Sequence, residues 1–505
     1  MIFNSIQYLI FLPVVFIIYY FLSYLYRIFS KKKKIFNFSN LFILIASLFF
    51  YGCWMPKYLI LILGTILITY ITSILIDKYN SKKKIFLIIG IVINIFVLFV
   101  FKYYNFFIVN INNLLKINLK NNFNFMLPVG ISFYTFQSIG YCIDVYRKDT
   151  PCERNIITYA SFVTFFPQLV AGPIERSNNL IKQFKEPHIF NYYKGVEGLR
   201  YILSGMFRKV VIADMCAVIV NSVYNNVHEY NGLILVIATF LFAIQIYCDF
   251  SGYSMIAVGS GKLLGFELME NFKSPYLSTS IKEFWSRWHI SLSTWFKDYI
   301  YIPLGGSRKG FRKKLINLTI IFLISGLWHG AAWTFVIWGF LHAIYRILEE
   351  IIDKCKKVQL TINNFLLKKI VIVLNTIVIF VLVNFSWIFF RANSINDAFY
   401  VIKNLFGQFD IYSVYEKINY LIQTSLLDKY LFSKFFIIVI FISIIYLFVE
   451  DFIMKKNNCN ISSYYQKLRK GRYIIYIVQA QLIIIIWLIL SAVYGQSGQF
   501  IYFQF

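Results

Sequence analysis

Long apolar runs separated by short polar and basic segments recur along this chain of 505 residues. A helix needs ~20 apolar residues to cross a hydrocarbon layer of ~30 Å, so each run of that length is a candidate membrane span. The candidate spans are residues 6–29, 38–54, 57–77, 85–101, 127–145, 156–173, 196–224, 232–250, 315–338, 369–390, 432–453 and 473–495, with 251–266 or 334–350 as a further one. The pattern predicts an all-α polytopic membrane protein with about eleven to thirteen membrane segments.

Composition supports this fold class. Hydrophobic residues make up 59% of the chain and charged residues 14%, against roughly 25% charged residues in a soluble domain. A soluble globular enzyme is therefore excluded. The 50 Lys and Arg exceed the 23 Asp and Glu by 27, an excess that in a soluble protein would suggest nucleic acid. Because the basic residues here cluster between apolar runs, we expect the bilayer and no nucleic acid as partner.

Those basic clusters also predict an orientation. Lys31 to Lys34 follow the first span and should be cytoplasmic, which places the N-terminus outside. The turn at Trp54–Pro56 suits the outer face, and Lys82 to Lys84 return to the cytoplasm. The first basic residue is Arg27, so the first span is not a secretory signal and should be retained.

The seven cysteines include no C-x-x-C pair, so neither a disulfide framework nor a zinc site is indicated.

The longest polar stretch, residues 267–314, is rich in aromatic residues. Trp285, Trp288, Leu292, Trp295 and Tyr299 recur there at helical spacing and predict one apolar stripe on a helix. Charged residues on its other faces prevent that helix from spanning easily, so it should lie at the interface or enter partway. The basic cluster that ends this stretch, residues 308–314, either orients the chain in the membrane or attracts an anionic acyl donor.

His329 is the main candidate for chemistry. It lies in the apolar run 315–338, ~21 Å along a helix counted from Leu315, and an ionisable group at that depth is a functional candidate. Desolvation should keep its imidazole neutral and able to accept a proton, as a general base must. The alternative is a buried histidine bonded to a backbone carbonyl. Small residues, including Gly330 and Ala331, clear space beside the ring.

The other four histidines are weaker candidates. His289 borders the aromatic stripe and is either a second site residue or an anchor of an interfacial helix. His342 is expected to be an interfacial residue, and His188 and His228 are expected to be solvated. Asp249, at the end of an apolar run, is expected to cap a helix or to bond a partner.

Five strings in chain order resemble the membrane-bound O-acyltransferase family, and most closely its alginate O-acetylation branch. They are LVAGPIER (169–176), QIYCDFSGYS (245–254), FWSRWHISLSTWFKDYIYIPLGG (284–306), SGLWHGAAWTFVIWGFLHA (325–343) and QFIYFQF (499–505). The similarity runs from about residue 45 to the end. Met255 and Lys262 depart from the pattern of this branch.

The resemblance implies one membrane domain over 1–505 in a bacterial plasma membrane, with N-terminal helices to 145, a catalytic core over 146–390 and C-terminal helices over 391–505. It implies helices around a central tunnel, with re-entrant segments at the active site. His329 matches the catalytic histidine and His289 the second motif histidine. We expect Trp288, Trp328, Gly330 and Ala331 to line the tunnel.

The resemblance also implies the reaction. An acyl group, expected to be acetyl from acetyl-CoA, passes from a cytoplasmic thioester to an exported cell-surface polysaccharide, with no bound cofactor or metal. An extracytoplasmic acetyltransferase of esterase-like fold and the polysaccharide synthesis machinery are the implied partners. The alternatives are D-alanyl transfer to teichoic acid and a polysaccharide or lipid exporter without chemistry; an exporter would usually show internal repeats, which the sequence lacks.

Overall fold

The computed structural model describes residues 1–30, 38–119, 127–170, 172–355, 365–407, 410–426, 430–467 and 471–494. These residues form helices and connecting turns, with no strand among them, and the predicted all-α class is confirmed. Lys31 to Lys34, on which the predicted orientation depends, and the closing QFIYFQF lie outside the described residues.

The helices are numbered in chain order. They are α1 (Ile6–Ser30), α2 (Phe38–Gly52), α3 (Leu59–Lys78), α4 (Lys83–Leu98), α5 (Tyr104–Leu115), α6 (Ile131–Arg147), α7 (Ile156–Thr164), α8 (Phe166–Leu169), α9 (Ser177–Gln183), α10 (Tyr192–Met206), α11 (Asp214–Tyr224), α12 (Leu233–Leu263), α13 (Ile281–Arg287), α14 (Ile290–Phe296), α15 (Phe311–His329), α16 (Trp333–Cys355), α17 (Phe365–Arg391), α18 (Ile395–Asn404), α19 (Ile411–Leu426), α20 (Tyr430–Asn457), α21 (Ile461–Lys467) and α22 (Gly471–Tyr494). Short π-helical segments cover Phe99–Tyr103, Phe207–Ala213 and Lys297–Tyr301.

Six stretches of the described chain are long and apolar enough to cross a bilayer. They are Ile6–Phe29, Pro56–Lys78, Asn80–Leu115, Leu233–Leu263, Leu366–Arg391 and Lys434–Asn457, with shorter apolar helices at Phe38–Gly52 and Tyr473–Ile489. The protein is therefore a polytopic membrane protein, as predicted. The remaining predicted segments coincide with helices that are shorter, interrupted or more polar.

Three predicted boundaries were wrong. The span 156–173 is interrupted at Phe165, whose backbone is not helical (φ −47°, ψ 108°), and Pro167 lies in the first turn of the next helix, where its missing N–H does no harm. The span 315–338 divides at residues 330–332, where Gly330 is extended and ends α15. Residues 232–250 and 251–266 are not separate, because α12 runs unbroken from Leu233 to Leu263.

The chain forms two compact units. The first comprises Met1–Ile202 and Tyr253–Glu270. Two buried hydrogen bonds lie within it: the Tyr159 hydroxyl donates to Thr69 Oγ1 at 2.6 Å, and the Asn40 amide donates to the Phe184 carbonyl at 2.6 Å. Lys262, which departs from the pattern of its branch, forms ion pairs here with Glu197 and Glu267.

The second unit comprises the described residues of Leu203–Gly252 and Asn271–Phe505. It contains His289 and His329. Its core consists of buried aromatic and aliphatic side chains from α11, α12, α16, α17 and α20. A stable membrane protein must bury its polar backbone in helices, and this unit does so around a cluster of indole and phenyl rings.

Candidate active site

His329 is the last residue of α15, and only 4% of its surface is exposed. By the helical rise it lies ~27 Å from Phe311, where the helix begins beside the basic cluster. It was predicted to lie within a longer helix, but the chain leaves the helix at Gly330. Its imidazole contacts three aromatic rings, with centroid separations of 4.9 Å to Trp328, 5.0 Å to Trp338 and 5.2 Å to Phe390.

Glycines hold α15 and α16 in close contact beside this histidine. A Cβ on Gly326 would lie 2.3 Å from the carbonyl oxygen of Phe335. A Cβ on Gly330 would lie 2.1 Å from the Phe335 ring. Small residues commonly permit such approach between membrane helices. The loop at residues 330–332 is therefore fixed against the start of α16, and Ala331 in it is half-buried.

His289 lies at the start of α14 with a left-handed backbone, φ 43°, and is 1% exposed. Such a conformation is uncommon outside glycine and is often found at functional sites. Asn271 holds the backbone on the C-terminal side of His289. Its carbonyl accepts from the Ile290 N–H at 3.0 Å, and its Oδ1 accepts from the Ser291 N–H at 3.2 Å.

The single helix predicted from the aromatic stripe is therefore wrong. Helix α13 ends at Arg287 and α14 begins at Ile290, because Trp288 is extended and His289 is left-handed. Three members of the stripe are nevertheless buried, namely Trp288, Leu292 and Trp295. The break turns His289 away from the direction that a continuous helix would impose.

Trp328 contacts both motif histidines. Its ring centroid lies 5.9 Å from that of His289 and 4.9 Å from that of His329. Phe250 packs edge-on against His289, with the two ring centroids 4.6 Å apart. His289 lies outside the six long apolar stretches, and burial lowers its pKa to about 3. The ring is therefore neutral at physiological pH.

Trp288 belongs to a layer of packed rings next to His289. Its centroid lies 5.0 Å from Phe272 and 5.2 Å from Trp387. The Trp387 indole donates to the Tyr276 hydroxyl at 3.1 Å, and this hydroxyl donates to the Ala243 carbonyl at 2.7 Å. These bonds fix the layer. The lining of a tunnel stays a prediction for all four residues named for it, Trp288, Trp328, Gly330 and Ala331.

Two other histidines differ from their expectations. His342, expected at an interface, is fully buried on α16. His188, expected to be solvated, is half-buried, with Nδ1 3.0 Å from the Tyr19 hydroxyl and 3.1 Å from the Leu264 carbonyl oxygen. Burial lowers the pKa of His188 below its ordinary value. The exposure expected for His228 is confirmed, and its ring lies 3.2 Å from Asp397.

Sequence reasoning missed a buried ion network on the π-helical segment Phe207–Ala213. Arg208 forms ion pairs with Glu450 at 2.6 Å and with Asp451 at 3.2 Å.

The next residue in that segment, Lys209, forms ion pairs with Asp214 at 2.7 Å and Asp249 at 2.6 Å. The partner-bonding role expected of Asp249 is confirmed, although it lies inside α12 rather than capping it. The signal available in the sequence was two adjacent basic residues inside an otherwise apolar run.

The ion network touches the aromatic layer. The Tyr247 hydroxyl donates to Asp451 at 2.8 Å, and its ring lies 6.1 Å from Trp288. Ser274 donates to the backbone carbonyl of Asp451 at 3.1 Å. The buried charges therefore support the rings that surround His289. Chemically, the site offers two buried imidazoles held by rigid aromatic packing, an arrangement suited to taking a proton from a hydroxyl.

Comparisons with known proteins identify a family and several bacterial proteins to which the chain is similar. Residues 153–392 match the membrane-bound O-acyltransferase family, and this range contains both motif histidines. The chain is 37% identical over 414 residues to the probable alginate O-acetylase of Pseudomonas aeruginosa, covering 81% of this chain and 75% of the relative. It is 35% identical over 428 residues to the peptidoglycan O-acetyltransferase of Helicobacter pylori, covering 79% and 78%.

A more distant match is the teichoic acid D-alanyltransferase of Bacillus subtilis, 27% identical over 256 residues, or 46% of this chain and 62% of the relative. Identity above one third over most of both chains, for the two O-acetylating relatives, agrees with the long apolar helices and the buried histidines. The chain therefore belongs to the membrane-bound O-acyltransferase family and is a multi-pass membrane acyltransferase.

Proposed function

We propose that this acyltransferase moves an acetyl group from a cytoplasmic thioester, acetyl-CoA, across the membrane for the O-acetylation of an exported cell-surface polysaccharide. The observation that carries the proposal is the position of His329. It is buried at the end of α15, and Trp328 joins it to the second motif histidine, His289. The names of two relatives reported above, an alginate and a peptidoglycan O-acetylating protein, support the acyl group and the polymer class.

In the proposed reaction His329 is the general base. Its neutral imidazole takes the proton of an acceptor hydroxyl as that oxygen attacks the thioester carbonyl. The tetrahedral intermediate collapses, the carbon–sulfur bond breaks, and the thiolate leaves with the proton returned by the imidazolium. His289, with a low pKa and a fixed backbone, supports the site as a neutral group. No bound metal or cofactor enters this scheme.

The basic cluster at the start of α15 supports the proposal that the donor arrives from the cytoplasmic side. Arg308, Lys309, Arg312, Lys313 and Lys314 precede or open the helix that ends at His329. Such a cluster attracts phosphate groups, and basic residues favour the cytoplasmic side. We propose that the acetyl group is passed to an extracytoplasmic acetyltransferase of esterase-like fold, which acts with the polysaccharide synthesis machinery.

D-alanyl transfer to teichoic acid ranks second, because the D-alanyltransferase match covers under half of this chain. The exporter without chemistry is not retained, since the chain belongs to a family of acyltransferases.

The test uses membranes that contain the full-length chain and its polymer-producing machinery. Transfer of labelled acetyl from acetyl-CoA is measured for wild type, His329→Ala and the exposed control His228→Ala. Loss of a general base should lower the rate ~10²–10⁴-fold, with equal protein in the membrane, while the control stays near wild type. A His329→Ala rate close to wild type would refute the assignment, and transfer of labelled D-alanine instead of acetyl would favour the second function.

A further inference from the structure

Most of helix α17 presents a surface that the rest of the chain leaves uncovered. No residue from Leu366 to Leu382 is buried. In the most apolar part of this helix only 6% of the residues are buried, against 78% in the corresponding part of α12. The buried residues of α17 begin at Val383 and include Trp387 and Phe390 beside the candidate site. The earlier part of the helix therefore faces lipid or a partner in the membrane.

Asn375 lies on this uncovered part and is exposed. By the helical rise it is ~14 Å from Leu366 and ~24 Å from Arg391, so its carboxamide lies deep in the hydrocarbon layer rather than at either interface. A side chain of this length does not reach water from there. Polar side chains inside membranes almost always face the protein interior, because lipid cannot satisfy them. An exposed Asn375 at this depth therefore requires a partner.

Neighbouring polar side chains in apolar helices bond to their own backbone, and Asn375 does not. The Asn94 carboxamide donates to the Gly90 carbonyl at 2.7 Å, and the Thr376 hydroxyl donates to the Ile372 carbonyl at 2.9 Å. Within the described residues, the Asn375 carboxamide has no hydrogen-bond partner. It carries two N–H donors and an oxygen acceptor, so donors and an acceptor are both open on the lipid-facing side of α17.

The apolar neighbours of Asn375 form one seam with it. Val371, Asn375, Val378 and Leu382 are spaced four, three and four residues apart, which is the heptad spacing of a coiled coil. Val371 is 38% and Val378 54% exposed. The seam lies on the side of the helix away from Phe380, whose ring packs against other rings of its own unit. Asn375 takes position a of the heptad, where a single Asn fixes which helices pair and in what register.

We propose that α17 pairs with α17 of a second copy of this chain, with the two Asn375 carboxamides hydrogen-bonded to each other. A carboxamide both donates and accepts, so two identical side chains satisfy one another. Copies inserted with the same orientation are related by a two-fold axis along the membrane normal, so their α17 helices meet in parallel. Parallel pairing brings each position a opposite its own copy. A lipid chain offers neither a donor nor an acceptor.

The first test measures self-association of the purified full-length chain in lipid vesicles, by energy transfer between copies labelled with donor and acceptor dyes. We expect Asn375→Leu to raise the dimer dissociation constant about 5- to 30-fold, the effect of polar bonds between membrane helices. Asn375→Gln keeps the carboxamide and should recover part of the loss. Thr376→Val is the matched control and should change nothing, because that hydroxyl bonds within its own helix.

Folding is checked separately. Because Asn375 is exposed on its own chain, leucine there should not lower the thermal stability of the monomer in detergent. A wild type that stays monomeric in vesicles would overturn the proposal. Equal dissociation constants for wild type and Asn375→Leu would do so as well.

The second test identifies the occupant of the seam in native membranes. Val378→Cys on the seam and Val373→Cys on the opposite side of α17 are each introduced into a chain whose native cysteines have been replaced, and the membranes are oxidised. We expect a cross-linked species of twice the chain mass from Val378→Cys alone. A product with a different protein would assign the seam to another transmembrane partner, and no product would leave it to lipid. Either result overturns the proposal, and neither test depends on acetyl transfer.

Discussion

Gly326 and Gly339 lie against each other where α15 meets α16. A Cβ on Gly339 would lie 2.3 Å from the Phe322 carbonyl oxygen and 3.3 Å from the Gly326 Cα. The two helix backbones are thus in direct contact three residues before His329. Because both obstructing atoms belong to the backbone, the helices would have to separate to admit any side chain at this point.

Gly339→Ala should therefore destabilise the protein, although alanine favours a helix more than glycine does. Overpacking of this kind costs about 1–3 kcal/mol. Thermal unfolding in detergent measures the change. The control is Gly64→Ala in α3, where a Cβ would meet nothing within 4 Å, and it should leave the stability unchanged or slightly higher. An equal effect of the two substitutions would contradict the packing argument.

Ala331→Leu tests whether the loop after His329 lines the path of the acyl group. If Ala331 lines a tunnel, the substitution should block longer acyl chains before acetyl, with little change in expression or thermal stability. Relative rates with acetyl, butyryl and octanoyl thioesters measure this. Gly330→Ala is the contrasting variant, because a Cβ there meets the Phe335 ring at 2.1 Å and should lower stability. A loss of stability without chain-length discrimination in Ala331→Leu would refute the tunnel assignment.

Asn271→Ala removes the side-chain acceptor that holds the Ser291 N–H beside His289. We expect about a tenfold fall in kcat, which is within the ~10²-fold loss that a ~1 Å misplacement at a site can cause. Asn271→Asp keeps an oxygen at the same position and should recover most of the loss, with the acid limb of the pH–rate profile shifted upward by the added charge. Equal activity of wild type and Asn271→Ala would show that Asn271 does not position His289.

Arg208→Met should be strongly destabilising. It leaves Glu450 and Asp451 buried without their cation, and breaking a buried ion pair on one side costs about 3–5 kcal/mol. The double variant Arg208→Met with Glu450→Gln should regain part of the loss. As a control, Arg154→Met removes the exposed pair with Asp77 and should cost at most about 1 kcal/mol. Similar losses for the two arginines would refute the role of burial.

Glu283 on α13 should contribute to acid stability. Burial raises the pKa of Glu283. The hydrogen bonds from the Thr279 N–H and hydroxyl, together with the nearby Lys455, lower it by a larger amount, so the net pKa is below the ordinary value. A lowered folded-state pKa stabilises above the unfolded value and loses that contribution as pH falls through the folded value. Glu283→Gln should flatten the acid side of a stability–pH curve, whereas Glu416→Gln on the exposed surface of α19 should not.

The apolar runs predicted where helices lie, because spanning length and hydropathy are local properties of the chain. The sequence did not show where helices break. Gly330 and His289 end or begin helices through backbone conformations that depend on their neighbours, Phe335 and Asn271. The sequence also did not show that His342 is buried, because some of the rings around it come from α13 and α15, which are different helices from its own α16. Local patterns predict elements; contacts distant in sequence decide the site.

The pairing of Arg208 with Glu450 has a consequence for biosynthesis. The two residues are 242 positions apart in the chain, and a ribosome adds ~5–20 residues per second. For roughly 12 to 48 s after Arg208 is made, its main carboxylate partner does not yet exist. Until α20 is made, the Arg208 side chain therefore has neither Glu450 nor Asp451 as an ion-pair partner. Chains that stop before α20 carry an uncompensated cation and should be recognised by membrane quality-control proteases.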